Sequence, residues 1–89
     1  SPVQAGAPVY ALRVNPGVFV HYLHTRIHEE NSMDAVLEKI RGAGRGPALV
    51  ILRTSLVEDI PHQVPHEILY TTHDKKNKTI TLVMVNPAP

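Results

Sequence analysis

In SMDAVLEKIRGAG, residues 32 to 44, the apolar positions recur at the spacing of one helix face: Met33, Val36, Leu37 and Ile40 fall at i, i+3, i+4 and i+7. Ser32 can cap the first turn, Asp34 sits where the positive end of the helix dipole favours a carboxylate, and Gly42 and Gly44 end the run. The pattern predicts an amphipathic helix over residues 32 to 41, buried on one side. Elsewhere the period shortens to two or disappears. Ile68 to Thr72 (ILYTT) and Thr79 to Val85 (TITLVMV) are rich in β-formers, and HDKKNK between them supplies turn residues and charge, which predicts a hairpin. Pro47 to Arg53 (PALVILR) is apolar almost throughout, as a strand covered on both faces should be. Val9 to Val14 (VYALRV) reads as a further strand. VEDIPHQVPH should be irregular, because each of its two prolines lacks an N–H and restricts the residue before it.

The stretch VFVHYLHTRIHEENS, Val18 to Ser32, supports two readings. As a helix, Asn15 caps, Pro16 takes the first helical position, and Phe19, Leu23 and Ile27 line one side. As a strand, NPG makes a tight turn after Val14, and VFVHYL continues with the β-branched and aromatic residues that strands accept best. The strand is preferred, because Gly17 just inside a helix costs about 1 kcal/mol relative to Ala.

The resulting order is β-β-α-β-β-β, an α+β fold with one main amphipathic helix packed on a mixed sheet. Over residues 8 to 85 this order resembles that of the β-grasp, or ubiquitin-like, fold, with HEENSMDAVLEKI where that fold enters its helix. The resemblance is one of order alone and carries no family motif or functional residue. The helical reading of Val18 to His28 gives β-α-α-β-β-β, with two helices on one sheet face.

Length and composition narrow the setting. Eighty-nine residues make one domain, here residues 8 to 85. Residues 1 to 7 and 86 to 89, rich in Pro and Ala and without periodicity, read as linkers of a domain cut from a larger protein. No apolar run approaches the roughly 20 residues that span a bilayer, so membrane insertion is not expected. Nine basic against eight acidic side chains leave a net charge of +1, far from the balance of a dedicated nucleic-acid binder. The absence of Cys removes thiol nucleophiles and thiolate metal sites together. An intracellular setting is favoured over an extracellular one, where the sequon Asn77-Lys78-Thr79 would matter.

The chemistry-bearing residues do not assemble into a catalytic motif. Ser32 and Ser55 have no base placed beside them by spacing, and no cofactor motif is present, so an enzyme is not expected. The expectation for function comes from the sheet. With Tyr10, Leu12, Val14, Ile80, Leu82 and Met84 under the helix, the other face would carry Val9, Ala11, Thr79, Thr81, Val83 and Val85, too apolar for a solvated antiparallel face. This predicts a non-enzymatic protein–protein interaction or assembly domain. It would bind a protein partner or a second copy through that aliphatic face or an edge strand, with Arg13, Arg26 and Arg53 as rim charges.

Two alternatives use other residues. Arg41, Arg45, Lys75, Lys76 and Lys78 form basic loops that could contact nucleic-acid phosphates. RGAGRG has the composition of an anion-binding loop, but it follows a helix and precedes a strand, the reverse of the order that cradles phosphate. On a helix, His21, His24 and His28 would lie within roughly 60° of one another and could hold a metal ion. On a strand they separate. His62 and His66 are four apart, yet Pro61 and Pro65 forbid the helical turn that would bring them together.

Overall fold

The cap expected at Ser32 forms: its Oγ accepts the Ala35 amide at 3.1 Å, and its carbonyl accepts the Val36 amide at 3.2 Å. Helix α1 then runs over Met33–Gly42 and buries Val36, Leu37 and Ile40. The computed structural model describes residues 7–15, 26–42 and 46–86. Around α1 the described elements are β1 (Val9–Leu12), β2 (Ile27–Glu30), β3 (Ala48–Arg53), a 3-10 helix (Thr54–Asp59), β4 (His66–His73) and β5 (Thr79–Val85).

The five strands form one mixed sheet in the order β2-β1-β3-β5-β4. β1 runs parallel to both β2 and β3, and β5 runs antiparallel to β3 and β4. The fold is therefore α+β and consistent with a β-grasp-like fold, with one α-helix and one mixed five-stranded sheet among the described residues. The apolar run Ala48–Arg53 occupies the middle of the sheet, buried at its first five positions.

The second described strand was not foreseen. It is Ile27–Glu30, beside the helix entrance, and it is parallel to β1. The strand expected at Val18 to Leu23 lies outside the described residues, as does the alternative helix at Val18 to His28 except for its last three residues, of which Ile27 and His28 are in β2. β1 stops at Leu12 rather than Val14, because Arg13 takes a φ of 56° and donates its N–H to the Glu30 carbonyl at 3.0 Å.

VEDIPHQVPH is partly ordered. Val57–Asp59 complete the 3-10 helix, and two short turns follow, with the amides of Ile60 and Val64 donating to the carbonyls of Val57 and Pro61. Both Ile60 and Val64 are buried.

The sheet register sorts the core into two sides. Val50 lies opposite Tyr10 in β1 and Val83 in β5, so those residues share the face under α1 with Leu12, Leu52 and Val85. Leu56 and Val57 of the 3-10 helix pack against this side. Val9, Leu49, Ile51, Ile80 and Leu82 form the other side, joined by Val14, Ile27, Leu69 and Met84. Each such aliphatic side chain contributes roughly 1.5–3 kcal/mol when fully buried.

This corrects the expected partner-binding face. Val9 and Ala11 do lie on the side away from α1, but Thr79, Thr81, Val83 and Val85 have the register of the helix side. Five of the six are buried, and only Thr79 is exposed. Alternation within β1 and β5 was legible, but neither strand's sequence states the register that β3 imposes between them.

Candidate functional site

With both faces of the central strands shut off from solvent, the sheet meets solvent most openly at its two edges, and these differ in kind. β2 is four residues long and carries Glu29 and Glu30. A short, charged edge is one of the ordinary ways a sheet discourages further pairing. β4 is eight residues long, HEILYTTH, with no Lys or Pro and a single carboxylate. Among the described strands it pairs only with β5, so it is an edge of the described sheet.

The side chains of β4 fit that picture. Ile68 is 51% exposed and Tyr70 53%, the two large hydrophobic residues that stand out to solvent among the described residues. A bulge between Ile68 and Tyr70 shifts the register against β5. Leu69 packs against the core side that faces away from α1, anchoring the strand between two half-exposed neighbours.

The inner side of β4 is held firmly. The Thr81 hydroxyl is buried between Thr54 Oγ1 at 2.7 Å and Thr71 Oγ1 at 3.1 Å, which ties β5 to the 3-10 helix on one side and to β4 on the other. At the hairpin tip the Asp74 carbonyl accepts the Asn77 amide, and Asn77 takes a φ of 62°. This is a tight turn followed by a left-handed residue, a position Asn tolerates better than most. Asp74 Oδ1 accepts the amides of Lys76 at 2.9 Å and Lys78 at 2.8 Å. The Lys78 amide holds the Asp74 carboxyl below the ordinary value of 3.8, with the Lys76 amide and the charges of Arg53 and Lys78 acting the same way and burial opposing them. Arg53 Nη1 is 3.9 Å from Asp74 Oδ2, too far for a hydrogen bond.

The other residues singled out by the sequence are dispersed. Arg41 lies in the last turn of α1, before β3, while Lys75, Lys76 and Lys78 lie in the turn beyond the far end of β3, near Arg53. β3 alone separates these groups by roughly 16 Å, at 3.3 Å per residue. Arg45 lies outside the described residues. His21 and His24 also lie outside them, and His28 is on β2 with its ring 5.6 Å from that of Tyr10. Among the described residues no three His, Cys, Asp or Glu side chains gather as metal ligands. His66 Nδ1 bonds the Val64 carbonyl at 2.9 Å, closing the turn before β4. Of the rim arginines, Arg13 and Arg26 are exposed.

An open cleft lies at the carboxyl ends of β1 and β2, lined by Ala11, Arg13, Val14, Asn15, Glu29, Glu30 and Asn31. Glu30 is tied to Lys39 at 2.6 Å, and the described lining residues include no hydroxyl, thiol or imidazole. No described helix is long and apolar enough to cross a membrane. The edge signal in β4 is partly visible in sequence, where Ile68 and Tyr70 are interleaved with polar residues, but edge position depends on strand order, which local patterning does not state. No protein-family model, curated protein or solved structure matches the chain.

Proposed function

We propose that this chain is a non-enzymatic protein-interaction domain whose contact is the outer edge of β4. The observation that supports this reading is the half-exposure of Ile68 and Tyr70 on an eight-residue edge strand whose described ladder is one-sided. An added strand would complete the hydrogen bonds of β4, supplying affinity through the main chain, while alternate side chains supply specificity. The hydroxyl ties of Thr81 and the Asp74 turn keep the edge preformed, so little ordering cost falls on binding.

A photoreactive side chain placed at Tyr70, in the intact protein in its own cellular setting, tests this reading. Cross-linking to protein is expected there, far above the same label at His28 on the opposite edge, and it should be lost with Ile68→Lys. Equal labelling from both edges, or none from position 70, would overturn it.

A further inference from the structure

The register of β4 against β5 divides its side chains between the two faces of the sheet. His66, Ile68, Thr71 and His73 lie opposite Val85, Val83, Thr81 and Thr79, so they share the face under α1. Glu67, Tyr70 and Thr72 lie opposite Met84, Leu82 and Ile80, and Leu69 packs with that same cluster, so these four share the other face. The bulge has thus set two consecutive residues, Leu69 and Tyr70, on one side. As a result the pattern of faces along β4 reads the same from either end.

That symmetry matters for one class of partner. Two copies that join edge to edge about a two-fold axis normal to the sheet keep corresponding faces together, and residues opposite one another across an antiparallel pair must share a face. In β4 this is met along the whole strand when His66 stands opposite His73 of the second copy, Glu67 opposite Thr72, Ile68 opposite Thr71 and Leu69 opposite Tyr70. A slip of one residue puts nearly every opposing pair on contrary faces.

Charge points the same way. Glu67, near the start of β4, is exposed and is the strand's one carboxylate. The turn after its end carries Lys75, Lys76 and Lys78, also exposed. Antiparallel joining lays the turn of each copy, where three lysines outnumber Asp74, toward Glu67 of the other, at both ends at once. A parallel joining would oppose like charges.

We infer that the occupant of the β4 edge is a second copy of this chain, paired antiparallel about a centre between Leu69 and Tyr70, so that two five-stranded sheets become one. The inference rests on the edge reading proposed above and names its partner. The competing explanation is that the bulge only guards the edge against pairing.

The chain has no cysteine, so introduced thiols report register cleanly. Purified His66→Cys and His73→Cys proteins, mixed in equal amounts and mildly oxidised, should form the mixed disulfide in preference to either self-disulfide, and His28→Cys should form none. In sedimentation the unmodified chain should dimerise with rising concentration and lose affinity in salt, and Lys75→Glu with Lys76→Glu should weaken the dimer about tenfold. A monomer at all concentrations, or self-disulfides as abundant as the mixed one, would overturn the inference. If position 70 still cross-links to a different protein under those outcomes, the edge reading survives alone. If position 70 captures nothing, both fall.

Discussion

β3 and β4 are the two neighbours of β5, each paired with it antiparallel along most of its length, yet one is buried at its first five positions and the other is exposed at six of its eight. Composition alone does not make this difference, since Ile, Leu and Tyr fill the middle of β4 as Leu, Val and Ile fill β3. What separates them is the second neighbour. β3 has β1 on its far side, with α1 and the 3-10 helix packed over one face, whereas no described strand lies beyond β4. A strand's exposure is thus a property of sheet order, and an apolar residue at an edge is available for contact in a way that the same residue two strands inward is not.

The largest expected effect follows directly. Ile51→Ala should cost about 2–5 kcal/mol, because Ile51 is fully buried and its removal leaves a cavity. Ile68→Ala should stay within about 0.5 kcal/mol, because that side chain already meets solvent. Urea denaturation of the two variants under conditions where the protein is monomeric measures the contrast. Similar losses from both would mean that the β4 edge is a structural surface and would break the comparison.

The centre of the sheet was easier to foresee than its rim. ALVILR announces a strand covered on both sides by its lack of alternation, and MDAVLEKI announces its helix by spacing and a cap, since both signals are local. The hairpin turn was legible for the same reason, although β4 begins two residues before the expected Ile68, at His66. IHEE was missed as a strand because two charges and a His lie in four residues, and only its pairing with β1 makes it one. The 3-10 helix over TSLVED was missed because Leu56 and Val57 are too few to set a period. The facing of Val83 and Val85 depended on the register through β3, and the proposed edge depended on strand order, so neither could be read from any one segment.

A smaller effect sharpens how the two neighbours share β5. Thr81 stands opposite Leu52 in β3 and Thr71 in β4, and its hydroxyl bonds Thr54 and Thr71. Thr81→Val removes that bridge and leaves the partly buried Thr54 hydroxyl without this partner, at a cost of about 1 kcal/mol. Thr71→Val should cost less, because Thr71 is exposed and Thr81 keeps its shorter bond to Thr54. If the two variants cost the same, the bridge is not what holds β4 to the enclosed part of the sheet.

The smallest effect is confined to the tip that joins β4 to β5. The Asp74 carboxylate is stabilised mainly by the Lys78 amide, which puts its folded pKa below the ordinary 3.8. For a carboxylate lowered on folding, the contribution to stability is complete above the ordinary value and is lost as the pH falls through the lower, folded one. No change is expected near neutrality, and the turn should loosen only in acid, below the ordinary carboxylate value of 3.8. Because the group is at the surface, the loss should appear as faster amide exchange at Lys76 and Lys78 and spread toward the outer end of β4, while the β3–β5 ladder holds. Asp74→Asn, whose side-chain oxygen can still accept both amides, should remove the acid dependence and keep the turn. If the β3–β5 amides open at the same acid midpoint as the turn, edge and centre unfold as one unit, and β4 is not the separately adjustable surface that partner binding at an edge requires.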